Sequence, residues 1–241
     1  MGFAVISGAG TGIGAATARA LAGDGYDLAL VGRRADVLES SAADIRTAAG
    51  PAVRVIPADL TRPADVARVA ADLDGPVDVL VNNAGGYRPG DDGDLDAVAG
   101  HWRANFDTNV LTAVLLTEAL RDRLTRPGGT VVLMSSIAAQ RGGGGPYSAA
   151  KAALHGYAYD LARDLSPDGV TVNVVSPGYV AETEFFAGRM TPQGHAERVG
   201  QTLVGRAGTP DDIADAVRYL VRARFVTGQI IGVNGGSVLG R

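Results

Sequence analysis

The sequence predicts a doubly wound α/β fold, a single parallel sheet of about seven strands with helices on both faces. Three observations predict it. Short apolar runs alternate with longer amphipathic stretches along the whole chain. The runs are largely continuous rather than alternating, as strands buried on both faces require. Gly, Pro, Asn or Asp bounds each one nearby. Such alternation packs as parallel strands joined by right-handed crossovers.

In order, strand Phe3–Ser7 runs through a glycine cluster into a helical pattern over Gly12–Gly23, and strand Asp27–Gly32 precedes a helix over Ala35–Ala49. Strand Ala52–Pro57 leads to a helix over Pro63–Leu73, whose candidate cap Thr61 lies two residues before its proline. Strand Val77–Asn82 is followed by one long helix from about Asp94 to Leu124. Strand Thr130–Ser135 precedes a helix over Pro146–Ser166, and strand Val170–Val175 precedes an irregular stretch, 179–208, that could close over a site as a lid. Thr209–Pro210 is a cap and first-turn proline for a helix to Val221, before the last strand, Gln229–Val233. No linker or repeat divides the chain, so residues 1–241 are expected to form one domain.

Composition narrows the function. The formal charge of −4 offers no basic field to nucleic acid or an anionic membrane. Without cysteine there are no disulfides, thiolate nucleophiles or Cys-held metals, and the three histidines lack metal-ligand spacing. No apolar run approaches the ~18 residues of a membrane span, and no signal segment is evident; a soluble cytoplasmic protein is expected. The 34 glycines are about twice the usual ~7% share. Many must serve tight turns or lie beneath a ligand.

The densest glycine cluster, Ser7-Gly8-Ala9-Gly10-Thr11-Gly12-Ile13-Gly14, sits between the first strand and first helix. A dinucleotide pyrophosphate is held there by backbone N–H groups, and side chains would keep the backbone away. No lysine follows, so a triphosphate loop is not indicated. Gly8, Gly12 and Gly14, with Ser7 in place of Thr, resemble the TGxxxGxG motif of short-chain dehydrogenases/reductases. Asp59-Leu60, Asn82-Asn83-Ala84-Gly85, Asn109, Ser136, Tyr147-x-x-x-Lys151, Pro177-Gly178 and Gly235-Gly236 follow in that family's order. The resemblance spans nearly the whole chain and implies a Rossmann-like domain that binds a nicotinamide dinucleotide.

Arg33 and Arg34 end the second strand, where a carboxylate would bind a free ribose 2′-OH and an arginine a 2′-phosphate. NADP(H) is therefore favoured, with Arg33 the main phosphate ligand and Arg34 a helper; NAD(H) remains an alternative. The resemblance places Thr11 and Ile13 in the phosphate loop, Asp59 and Leu60 at the adenine, Asn83, Ala84 and Gly85 at the adenosine ribose, and Val180 and Thr183 beyond Pro177 and Gly178 at the nicotinamide. Glu182 stands where the family commonly has its Thr.

Tyr147 and Lys151 share one face of a helix. A free tyrosine, with a pKa of ~10, is a poor acid-base group at neutral pH. An ammonium about 4 Å away at an effective dielectric of ~20 favours phenolate by roughly 4 kcal/mol, or about three pK units. The resemblance makes Tyr147 the acid that protonates a substrate carbonyl oxygen and Ser136 a hydrogen-bond donor to that oxygen. Lys151 also bonds the nicotinamide ribose, and Asn109 holds a relay water. Ser135 is the alternative to Ser136.

Lys151 is the only lysine against 21 arginines, so plain charge does not explain its retention. The Gly142–Gly145 run can absorb a short Ser-to-Tyr connection. Resemblance to β-ketoacyl carrier-protein reductases implies a carbonyl or alcohol substrate, an acyl thioester among them. Arg121, Arg123 and Arg126 are a candidate patch for an acidic carrier, while Asp168 argues against docking. Phe185 and Phe186 suggest an apolar substrate face. A homotetramer or homodimer joined by the long helix and the Tyr147 helix is implied. The rivals are an alcohol, sugar or steroid dehydrogenase and a non-catalytic NADP-binding sensor.

Overall fold

The computed structural model describes residues 2–46, 50–90, 93–181, 183–186, 188 and 190–240, with Phe186 as backbone only. Its sheet has seven parallel strands: β1 (Phe3–Ser7), β2 (Asp27–Gly32), β3 (Val53–Pro57), β4 (Val79–Asn82), β5 (Thr130–Met134), β6 (Thr171–Pro177) and β7 (Ile230–Val233). Their order is β3-β2-β1-β4-β5-β6-β7. The chain builds outward from β1 to one edge, then returns to β4 on the other side of β1. That reversal opens a crevice beyond the carboxyl ends of β1 and β4, where open α/β sheets bind ligands.

The register Ala4↔Val79, Val5↔Leu80 and Ile6↔Val81 sets Ser7 beside the end of β4. The Ser7 hydroxyl accepts from the amides of Asn83 (3.0 Å) and Ala84 (2.9 Å), tying the strand ends together at the crevice.

Side chains alternate across the sheet and build one core on each face. Val5, Leu80, Val131 and Val172 meet helices α3 (Pro63–Asp72), α5 (Thr112–Leu120) and α7 (Pro146–Leu165) through Val66, Leu116, Leu154 and Leu161. Ile6, Leu30 and Val132 meet α1 (Gly12–Gly23), α2 (Ala35–Arg46) and α9 (Pro210–Arg222) through Leu21, Leu38, Ile213 and Val217. Each such side chain contributes roughly 1.5–3 kcal/mol when fully buried. Strands β4, β5 and β6 are buried throughout and β7 is not, as its edge position dictates.

Several boundaries differ from the sequence reading. The expected long helix is α4 (Leu95–Phe106), a π-helical turn at Asp107–Leu111, α5, and a 3₁₀ turn at Arg121–Arg123. Val77 forms an isolated bridge to Leu124 rather than starting β4. β6 begins one residue later than expected and continues through Pro177, tolerable there because the proline ends the strand. Thr61 does not cap α3; its amide and hydroxyl go to Asp59, and Arg62 holds the cap position. Thr209 does cap α9, in a reciprocal box with Asp212. The expected end of the second helix, 47–49, lies outside the described residues.

Two helices were not expected: four-residue α6 (Ala138–Arg141) and α8 (Pro192–Gly200). The latter lies in an excursion whose base is pinned where Val180 pairs with Gly208. Gly208 N–H donates to Tyr179 O and Ala181 N–H to Gly208 O, both at 2.9 Å. Among the described residues no helix is long and apolar enough to cross a membrane.

Candidate active site

A cleft of ≈ 1440 Å³ occupies the crevice. Single small-molecule sites are typically ~300–1,000 Å³, so this one has room for a dinucleotide and a second molecule. All the sequence-predicted site residues line it except Gly14 and Asn109, which stand directly behind the wall.

Backbone conformation explains the glycine loop. Gly8 and Gly12 have φ of 65° and 52°, in the left-handed region. A Cβ on Gly14 would lie 2.1 Å from the Gly8 carbonyl oxygen. Asn83 locks the loop from below, donating from Nδ2 to the carbonyls of Ser7 and Gly8, each at 3.1 Å. Thr11 is extended at the N-cap of α1 but makes no side-chain cap, so that helix end keeps N–H groups for an anion. These features fit a dinucleotide pyrophosphate.

At the adenosine end, Arg33 and Arg34 line the cleft with Asp59 and buried Leu60. Burial raises the Asp59 pKa, but bonds from the Thr61 hydroxyl and amide, with nearby Arg33, more than offset this and hold the carboxyl low. The two arginines divide. Arg34 Nη1 and Nη2 donate to Glu184 Oε1 and Oε2 of the lid, at 3.1 and 2.6 Å. Thr183 donates to Val180 O at 3.3 Å, and its methyl lies 3.4 Å from where a Gly12 Cβ would be. Glu182 lies outside the described residues. The 180–208 pairing turns the N–H of Val180 away from the bridge. Gly178 lets this turn approach Asn234, whose Cα lies 2.7 Å from a would-be Gly178 Cβ.

The two serines after β5 separate cleanly. Buried Ser135 donates to Lys151 O and lies 2.9 Å from His155 Nε2. Its single proton is given to the carbonyl, so His155 must donate from Nε2. Ser136 faces the cleft, accepts from Ala138 N–H at 3.1 Å and stands beside Tyr147, whose pKa it lowers. Gly142, Gly143 and Gly145, with φ of 73°, 86° and 54°, make the short connection that only glycines allow at so many left-handed positions. Pro146 then opens α7 and sets Tyr147 in its first turn.

Lys151, 4% exposed, donates from Nζ to Met134 O at 2.8 Å. The ammonium lies 5.9 Å from the Tyr147 ring centroid. Burial lowers the Lys151 pKa to about 8. The expected depression of Tyr147 is not found. Burial pushes the phenol up to about 12, and Ser136 only partly opposes it. Desolvation wins because it penalises the charged form of both groups, and the ammonium is directed at a strand carbonyl rather than the phenol.

Asn109 lies in the π turn. Its Nδ2 donates to Gly86 O and Asn105 O, and its Oδ1 accepts from Gly86 N–H, each at 2.9 Å. A Cβ on Gly85 would lie 2.7 Å from Asn109 Oδ1 and 3.0 Å from Lys151 Nζ, so glycine is what lets these groups converge.

Sequence reasoning missed Asn105. Fully buried one turn before Asn109, it accepts from Arg88 N–H at 3.2 Å and donates to Arg88 O at 2.9 Å. Between these clamped residues, Tyr87 stands edge-on to Tyr147, ring centroids 6.4 Å apart. The Phe185 ring also packs against Tyr147, centroids 5.5 Å apart. The Asn105–Asn109 spacing was the available signal, one face of a helix with two carboxamides. In the candidate basic patch, Arg121 pairs with Asp164 and Glu118, Arg126 with Asp168, and Arg123 donates to Leu73 O.

A profile described as "Enoyl-(Acyl carrier protein) reductase" matches residues 8–237. The short-chain reductase protein NovJ of Streptomyces niveus is 37% identical over 97% of this chain and 92% of its own. The chain belongs to the short-chain dehydrogenase/reductase family. Within that family, the 3-oxoacyl-[acyl-carrier-protein] reductase FabG of Escherichia coli is 33% identical over 98% of this chain and 97% of its own. A short-chain dehydrogenase from Burkholderia cenocepacia, solved with NADP, superposes with a TM-score of 0.86 at 33% identity, over 97% of this chain and 96% of that one. As a short-chain dehydrogenase/reductase, this protein is an oxidoreductase that acts between carbonyl and alcohol groups with a nicotinamide dinucleotide.

Proposed function

We propose that the protein is a ketoreductase in which Tyr147 protonates the substrate carbonyl oxygen, Ser136 holds that oxygen, and Lys151 and Asn109 resupply the proton. One observation carries this reading: Ser136 and Tyr147 line the same cleft, with the lone lysine buried beneath them. Bound NADP(H) supplies the hydride. Gly8, Gly12 and Gly14 shape the pyrophosphate cradle, Arg33 faces the 2′-phosphate, and Lys151, with donors left after Met134, bonds the nicotinamide ribose.

The charge states favour reduction. A phenol held near 12 keeps its proton at neutral pH and still releases it more readily than the alcohol product would. A lysine near 8 can give up and regain a proton at little cost. Tyr87 and Phe185 flank the phenol and suit a ketone with apolar substituents. With Arg121 and Arg126 committed to internal pairs, a free small ketone or thioester suits the surface better than a docked carrier protein.

We also read 179–208 as the substrate lid of a single-domain cytoplasmic enzyme that self-associates through α4, α5 and α7. NADPH oxidation against β-keto thioesters, cyclic ketones, quinones and sugars tests the reading. Tyr147→Phe is expected to abolish turnover and leave NADPH binding intact; an active Phe variant would sink the mechanism.

A further inference from the structure

We propose that Glu184 sets the cofactor preference of this enzyme by occupying the Arg34 fork that a ribose 2′-phosphate would take. The proposal rests on the NADP(H) reading above and adds a residue that the family motifs do not contain. Three elements meet at the Glu184 carboxylate. Arg34, from the turn after β2, grips both oxygens at 3.1 and 2.6 Å. Thr11, from the glycine loop, stands beside the same carboxylate and helps hold it ionised. Glu184 itself lies on the 3₁₀ turn Glu184–Phe186 of the lid, 150 residues beyond Arg34 in sequence.

The two-pronged guanidinium–carboxylate geometry is the one an arginine uses for phosphate. A cofactor phosphate at Arg34 must therefore displace the carboxylate or sit against it, and two anions of like sign repel. Both side chains of the pair are about half exposed, at 55% and 53%, so the exchange is easy rather than forbidden. A nucleotide without the 2′-phosphate leaves the pair intact. The same contact ties the lid tip to the turn after β2, so 2′-phosphate binding also frees the lid at that point.

Calorimetric binding of 2′,5′-ADP and 5′-AMP to the full chain isolates the 2′-phosphate and needs no turnover. Glu184→Gln is expected to tighten 2′,5′-ADP about tenfold and leave 5′-AMP unchanged. Adding Arg34→Gln to that variant is expected to remove the gain. If the wild-type protein prefers 2′,5′-ADP and Glu184→Gln leaves the ratio unmoved or lowers it, the role of Glu184 is overturned while the NADP(H) reading stands. If the wild type shows no preference and Glu184→Gln creates one, Glu184 is the selectivity residue and the NADP(H) preference falls instead. Failure of both nucleotides to bind would overturn both.

Discussion

Replacing Lys151 by Met is expected to stabilise the protein at neutral pH while destroying its activity. Lysine titrates at 10.5 in the free side chain and at about 8 when buried here. The folded state therefore binds fewer protons than the unfolded chain between those values, and wild-type stability rises with pH across that window. Below pH 8 the charge is carried in both states, and the fold bears its full burial cost. A difference of about 2.5 pK units at 1.36 kcal/mol each gives about 3 kcal/mol. Methionine has similar length and no charge, but strands the Met134 carbonyl that Nζ satisfies at 2.8 Å, a loss of roughly 1–2 kcal/mol. The net gain near pH 7 is about 1–2 kcal/mol. Urea unfolding of both proteins from pH 7.5 to 9.5 checks the sign. The gap should narrow by about 2 kcal/mol over that range as the wild-type lysine sheds its proton. The range stops short of the pH at which Tyr147, held up near 12, begins to lower folded stability. A variant less stable than wild type at pH 7.5, or a gap that does not change with pH, would refute the account of Lys151 as a buried, costly cation.

Gly14→Ala should destabilise the fold by at least ~1–3 kcal/mol and remove NADPH binding, because its Cβ would press on the Gly8 carbonyl from 2.1 Å; thermal melts and NADPH fluorescence titration check both. Asn105→Leu strands the Arg88 amide, while His101 Nε2 still reaches the Arg88 carbonyl, and should cost roughly 1–3 kcal/mol. Because Tyr87 then leaves Tyr147, the ketone KM should rise while NADPH affinity holds; an unchanged KM would show that the clamp does not shape the substrate wall.

The layout of the sheet was legible because buried parallel strands write their own signal. β1, β2 and α1 lie at their sequence-predicted bounds. The long fourth helix was legible as apolar periodicity, but its interruption at Asp107–Leu111 was not. A π turn adds one residue to a repeat that hydrophobic spacing reads as 3.6. α8 carries no buried residue, so no apolar stripe announces it. At the site, residue types gave the members and the structure gave their environment. Neither the Ser135–Lys151 carbonyl bond nor the Arg34–Glu184 pair has a local signature, since their partners lie 16 and 150 positions away. The Tyr147 pKa went the other way because spacing reports a neighbouring charge but not how deeply both groups are desolvated.

The two asparagine carboxamides behind Tyr87 make a helix act as the edge of a sheet. Four helical residues advance roughly 6 Å and two extended residues about 6.7 Å, so the two repeats nearly coincide. Asn105 and Asn109 therefore each meet an alternate residue of the facing loop, Arg88 and Gly86. A backbone paired at every second residue keeps its in-between side chain on one side only. Inserting a single residue between 86 and 88 would stretch the loop repeat to about 10 Å, so the two clamps could no longer hold together and Tyr87 would turn away from the reacting phenol. The length of this short stretch is thus under geometric control, and the substrate wall has a register as strict as that of a strand.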